Sequence, residues 1–193
     1  SVKLTQKKVD IPLAKVLDFE EVNNCSEKRI MSGISEIDRV FGGGIVPGSL
    51  ILMAGEPGIG KSTLVAQFVD ALLQKNKNLS NIYYASGEES SSQVGQRLER
   101  LGCDKSKIKF INDTNVDKII SVVIKNKPAL LVVDSIQTIY TNDVPSETGG
   151  VSQIRGATSK LMELAKTSDI PVLMIGHITK DGSVAGPKTM EHM

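Results

Sequence analysis

Tryptophan is absent from this chain, and only three tyrosines and four phenylalanines occur among its 193 residues. So few aromatics argue against a module that reads single strands by stacking bases on rings. Cysteine is as scarce. Cys25 and Cys103 stand far apart, too few for a four-Cys zinc site, and they fit a reducing compartment. No apolar run approaches the roughly 18–20 residues of a membrane span, and nothing at the start reads as a signal peptide. An excess of one charge is also missing. Lys and Arg number 23 against 22 Asp and Glu, a formal net charge of +1, so any contact with nucleic acid must be local. A soluble, cytoplasmic domain without a membrane partner is expected.

What remains is ordinary globular material, 40% apolar and 23% charged, in a length that suits one α/β domain. Residues 1–30 mix Lys, Asp and Asn with short apolar pieces and read as an arm or linker. Residues 31–193 read as the core. Ile34, Ile37, Val40 and Phe41 are spaced like one face of a short helix, which Gly42, Gly43 and Gly44 terminate. Residues 50–54 read as a buried strand, and residues 63–74 as a helix through Leu64, Val65, Phe68 and Leu72. Residues 82–85, 108–111, 129–133 and 172–175 then read as strands, with helices over 91–101, 117–125 and 151–166 between them. Strands alternating with helices imply βαβ units, hence a mostly parallel, doubly wound sheet with helices on both faces. Continuously apolar strand runs fit burial on both sides, and ligands of such sheets bind at the carboxyl ends of the strands. Residues 141–150 and 180–188 carry no element signal and leave the sheet at that edge.

Gly55, Glu56, Pro57, Gly58, Ile59, Gly60, Lys61 and Ser62 match G-x-x-x-x-G-K-[ST], the P-loop, between a strand and a helix. Its glycines let backbone N–H groups curl around phosphate oxygens, and the helix N-terminus adds its positive end. Lys61, expected as a surface cation, would reach the phosphates, and Ser62 would ligate Mg²⁺. The run 129–133 ends in Asp134, where an apolar strand delivers one carboxylate to the edge, the Walker B pattern and a second Mg²⁺ ligand. Glu88 and Glu89 follow the second strand. Glu88, nearer the strand end, is the choice for orienting an attacking water, with Glu89 in reserve, and the sequence alone does not separate them. His177 ends the fifth strand at the same edge, placed to sense a γ-phosphate. Arg97 is placed to stack its guanidinium on an adenine, with a solvated helix arginine the competing reading. The basic excess across residues 97–127 reads as a solvated flank.

In order along the chain stand Ser32-Gly-Ile, Asp38-Arg-Val, Gly42-Gly-Gly-Ile-Val-Pro-Gly48-Ser, GEPGIGKST, SGEES, VVDSIQT, VSQIR, GHITKDG and AGPK. Together they resemble the bacterial RadA (Sms) family of RecA-like DNA-repair ATPases, from about Ile30 to Met193. The resemblance implies a RecA-like P-loop fold and an ATP-hydrolysing, usually hexameric motor. Such a motor acts on single-stranded or branched recombination intermediates, promotes branch migration and works beside a recombinase. It assigns Lys61, Ser62 and Thr63 to phosphate and Mg²⁺, Asp134 to Walker B, Glu88 to catalysis and His177 to sensing. It also gives 141–150 and 180–188 the positions of DNA-binding loops, with Lys180 and Lys188 as phosphate contacts. The family's zinc finger, KNRFG motif and Lon-like domain are not among these residues, so an ATPase-core fragment without zinc is expected. A KaiC-like regulatory ATPase that switches protein partners is the alternative. A P-loop kinase is disfavoured because the two loops are poor in the arginines a phosphate lid needs.

Overall fold

Each strand alternates its side chains between two faces, and here each face has its own helix layer. In the computed structural model, which describes residues 28–177, the strands are β1 (Leu50–Gly55), β2 (Ile82–Ser86), β3 (Ile108–Ile111), β4 (Leu130–Asp134) and β5 (Val172–His177). They form one sheet in the order β1-β5-β4-β2-β3, every pair parallel. The helices are α1 (Ser35–Val40), α2 (Lys61–Lys75), α3 (Ser91–Arg100), α4 (Val116–Asn126) and α5 (Val151–Ser168).

One apolar cluster joins Val65, Phe68 and Leu72 of α2 and Val94 and Leu98 of α3 to Leu130, Val132, Leu173 and Ile175. The other joins Ile119 and Val123 of α4 and Ile154 and Leu161 of α5 to the alternate residues Leu131, Val133, Val172 and Met174. Burying each such side chain contributes about 1.5–3 kcal/mol against the entropy of ordering the chain. The RecA-like doubly wound fold read from the sequence is the fold observed.

Three details differ from the sequence reading. The strand β1 is only half buried, because among the described residues it pairs with β5 alone and stands at the sheet's edge. Val40 and Leu64, assigned to apolar helix faces, are exposed, since neither is covered by the layer its helix joins. The strands β4 and β5 run on to Asp134 and His177, so both polar residues belong to the strands themselves. Residues 28–30 are also tied to the core, through an Ile30–Ile45 bridge and an Arg29 hydrogen bond to the Phe41 carbonyl. Lys180, Lys188 and the loop that carries them lie outside the described residues.

The loop after β4 is fastened rather than free. Buried Gln153 of α5 accepts a hydrogen bond from the Thr141 N–H at 2.8 Å. Its Nε2 donates to the carbonyls of Thr141 (3.1 Å), Val144 (2.7 Å) and Ser146 (3.1 Å). Lys160 adds ion pairs to Asp117 and Asp143. Gln153→Leu keeps the volume but strips the loop's backbone of these partners. Urea unfolding is expected to show a loss of about 1–3 kcal/mol, the scale for unsatisfied buried groups. Limited proteolysis is expected to cut within residues 141–150.

Candidate active site

Parallel register brings four strand ends to one edge. Gly55 stands opposite His177, Ile175 opposite Asp134, and Asp134 opposite Ser86. Beyond Gly55 the loop turns through Gly58 (φ 81°) and Gly60 (φ 95°), conformations that side chains with a Cβ rarely adopt. No side chain caps the start of α2, which leaves its first N–H groups available to an anion. Lys61 is not the surface cation expected. It is 8% exposed, and its Nζ donates to the carbonyls of Gly55 (2.9 Å) and Glu56 (2.8 Å). The ammonium thus finds its acceptors in its own loop.

Lys61, Ser62, Thr63, Glu88 and His177 line one cavity of about 460 Å³ with Gly60 and neighbouring loop residues. At its far side Glu88 Oε1 accepts hydrogen bonds from the Ser135 hydroxyl and from His177 Nε2, the latter at 2.6 Å. Burial pushes the Glu88 carboxyl up. The bonds from Ser135 and His177, with the charges of His177 and Lys61, outweigh burial and hold it below the usual glutamate range. It is therefore an anion at neutral pH, aimed into the phosphate cavity.

Glu89 goes elsewhere. Its N–H donates to Ser86 Oγ at 3.0 Å, and its carboxylate pairs with Arg97, whose side chain is 10% exposed. Ser90 and Gln93 form a reciprocal cap on α3, so both acids precede that helix rather than sitting in its first turn. The structure thus parts two carboxylates that the sequence left together. Arg97 reaches the cavity wall, with its guanidinium engaged by Glu89.

Asp134 is 1% exposed. Its Oδ2 accepts from the Tyr84 hydroxyl at 2.6 Å, while Oδ1 has no hydrogen-bond partner among the described residues. Burial, reinforced by the Asp134 charge, holds the Tyr84 phenol far above its usual range, so it stays a donor. Neither Tyr84 nor Ser135 was singled out from the sequence. Their signal was there: a hydroxyl inside one apolar strand run and another directly after Asp134.

A P-loop, an edge carboxylate from a central strand and a second acid just past the neighbouring strand define a P-loop nucleotide-binding domain. The chain belongs to the AAA domain family, whose model matches residues 18–183. More particularly, it is similar to proteins named DNA repair protein RadA. That of Bacillus subtilis (strain 168) is 45% identical over 172 residues, which cover 89% of this chain and 37% of the relative. That of Haemophilus influenzae is 45% identical over 179 residues, 93% of this chain and 38% of the relative. That of Streptococcus pneumoniae (strain ATCC BAA-255 / R6) is 42% identical over 179 residues, 93% of this chain and 42% of the relative. The chain spans about two-fifths of the length of these relatives. No helix among the described residues is long and apolar enough to cross a membrane.

One glycine fixes where Glu88 lands. A Cβ on Gly87 would lie 2.4 Å from Thr138 Oγ1 and 2.7 Å from Thr114 Cγ2. Gly87→Ala is expected to cost about 1–3 kcal/mol through overpacking, measured by urea unfolding. Gly95→Ala, in α3 with open space at its Cβ, is expected to be neutral or to stabilise by about 0.5–1 kcal/mol.

Proposed function

We propose that this chain is the ATP-hydrolysing core of a RadA-type DNA repair protein, turning ATP hydrolysis into work on recombination intermediates. The observation that carries the reading is the meeting of Lys61, Glu88 and His177 around one cavity of about 460 Å³, with Asp134 Oδ1, unpartnered among the described residues, at the neighbouring strand end. The relatives named for DNA repair favour it over a KaiC-like switch of protein partners.

The residues fit Mg²⁺–ATP. The uncapped α2 start and the two positive-φ glycines shape an anion cradle, and Asp134 offers a buried carboxylate oxygen with no other occupation. Ser62 and Asp134 would hold Mg²⁺, which neutralises charge on the phosphate oxygens. On phosphate binding, Lys61 exchanges the carbonyls of Gly55 and Glu56 for phosphate oxygens. Glu88 takes the proton of the attacking water, its ionised state set by the hydrogen bonds around it. His177 shares Glu88 with Ser135, so a γ-phosphate that draws the ring away changes both the base and the end of β5. Lys180 and Lys188 stand three and eleven positions after His177 in the chain. The loop 141–150 contains Asp143 and Glu147 and no cation, so contact with DNA phosphates falls on the later segment. The resemblance extends the proposal to a homo-hexamer, a recombinase partner and branch migration in the whole protein.

The test is ATP turnover with and without single-stranded DNA, beside nucleotide binding. Lys61→Ala is expected to lose nucleotide binding. Glu88→Gln is expected to keep Mg²⁺–ATP binding while hydrolysis falls by about 10²-fold or more, the scale for losing a general base. Glu89→Gln is expected to retain turnover. The reverse pattern for the two glutamates would transfer the base to Glu89, and wild-type nucleotide affinity in Lys61→Ala would remove the site.

A further inference from the structure

We propose that Tyr84 is a positioning residue for Asp134. Its hydroxyl fixes one carboxylate oxygen so that the other stays free for the Mg²⁺ that accompanies the nucleotide. The assignment rests on the reading of this edge as a Mg²⁺–nucleotide site.

The argument starts from why a tyrosine stands there at all. Tyr84 is 1% exposed, inside the apolar cluster of Phe68, Val94, Leu98, Val132 and Ile175. Phenylalanine would fill the same space. Burying a hydroxyl among such residues is unfavourable unless it is paired, and its hydrogen bond goes to Asp134 Oδ2 at 2.6 Å. Strand register makes that bond geometrically natural. Tyr84 pairs with Val132, and Asp134, two residues on, lies on the same face of β4. Ser86, which is in register with Asp134, is occupied otherwise, accepting from the Glu89 N–H.

The second observation is the carboxylate itself. A terminal carboxylate torsion is broad and roughly two-fold, so an unpinned aspartate presents its oxygens interchangeably. Here one oxygen is committed and the other, also buried, has no hydrogen-bond partner among the described residues. A bare buried carboxylate oxygen carries a large desolvation cost, and such an exception calls for a ligand that offsets it. A cation supplies the missing interaction. Partners that orient a metal-binding carboxylate typically change metal affinity by about 10–100-fold when removed.

The experiment is equilibrium binding of a fluorescent ADP analogue, titrated with Mg²⁺ and repeated in EDTA, for wild type and Tyr84→Phe. Thermal melts of both proteins accompany it. The expected result is a rise of about 10-fold in the Mg²⁺ concentration at half-saturation for Tyr84→Phe. Affinity in EDTA should stay within about twofold, with a single cooperative melt. In an Asp134→Asn background, adding Tyr84→Phe should change the Mg²⁺ response no further, because the two side chains act as one unit. An unchanged Mg²⁺ midpoint overturns the assignment, as does an equal loss of affinity in Mg²⁺ and EDTA, which marks a structural role only. If wild type itself binds nucleotide without any Mg²⁺ dependence, the reading of the edge fails and Tyr84's assignment goes with it. A normal wild-type dependence with an unmoved Tyr84→Phe midpoint removes the assignment alone.

Discussion

Everything at the cavity depends on parallel strands held in register. Parallel pairing makes every strand of the sheet end at the same side, and each connection returns through a helix. Residues 55, 88, 134 and 177 are far apart in the chain, yet the pairing of β1 with β5, β5 with β4 and β4 with β2 sets them along one edge. Because side chains alternate along a strand, a slip of one residue in β4 would move Asp134 to the face opposite Tyr84. The two helix layers forbid that slip, since the same step would turn Leu131 and Val133 out of their cluster and into the other. Packing far from the chemistry therefore fixes the chemistry's coordinates.

Charge at this edge is held by hydrogen bonds more than by ion pairs. Lys61 rests on two backbone carbonyls, Asp134 on a phenol, and Glu88 on a hydroxyl and an imidazole. Hydrogen bonds of this kind hold a buried charge in place without using up all its bonding capacity, which leaves each group able to respond to a newcomer. The contrast is Glu89, which meets Arg97 directly and has little left to offer a ligand. Two adjacent glutamates thus differ in availability because one finds a guanidinium and the other does not.

The fold was legible because its code is local. Alternating strand and helix patterns, continuous apolar runs and the P-loop glycines all lie within short windows of sequence. Asp134 was legible as the polar end of such a run. The choice between Glu88 and Glu89 was open in the sequence because neighbouring residues on a turn share every local property. Their partners part them, Ser135 and His177 holding Glu88 at the cavity and Arg97 holding Glu89 away from it. Lys61 reads as a surface side chain because its motif encodes a phosphate contact and says nothing of the Gly55 and Glu56 carbonyls that cover the ammonium. Tyr84 and Ser135 escaped notice for a related reason. Their partners stand 50 and 47 positions away in the chain, so no spacing rule links them.

The fastening of the loop after β4 bears on how nucleotide and nucleic acid would communicate. Four hydrogen bonds from Gln153 and the Lys160 pairs hold residues 141–146 to α5, while the bond to Asp117 ties the same assembly to α4. A segment so held resists displacement by a change at Asp134, because moving it would break several buried hydrogen bonds together. The end of β5 is different. His177 is tied to the site through its bond to Glu88, and its Nδ1 has no hydrogen-bond partner among the described residues. A redistribution of hydrogen bonds at Glu88 thus reaches the last residue of β5 in one step, whereas the route through Gln153 crosses a buried network with nothing to gain from moving. On the proposed function, a signal from hydrolysis would therefore leave the site through the end of β5 and not through the fastened loop after β4.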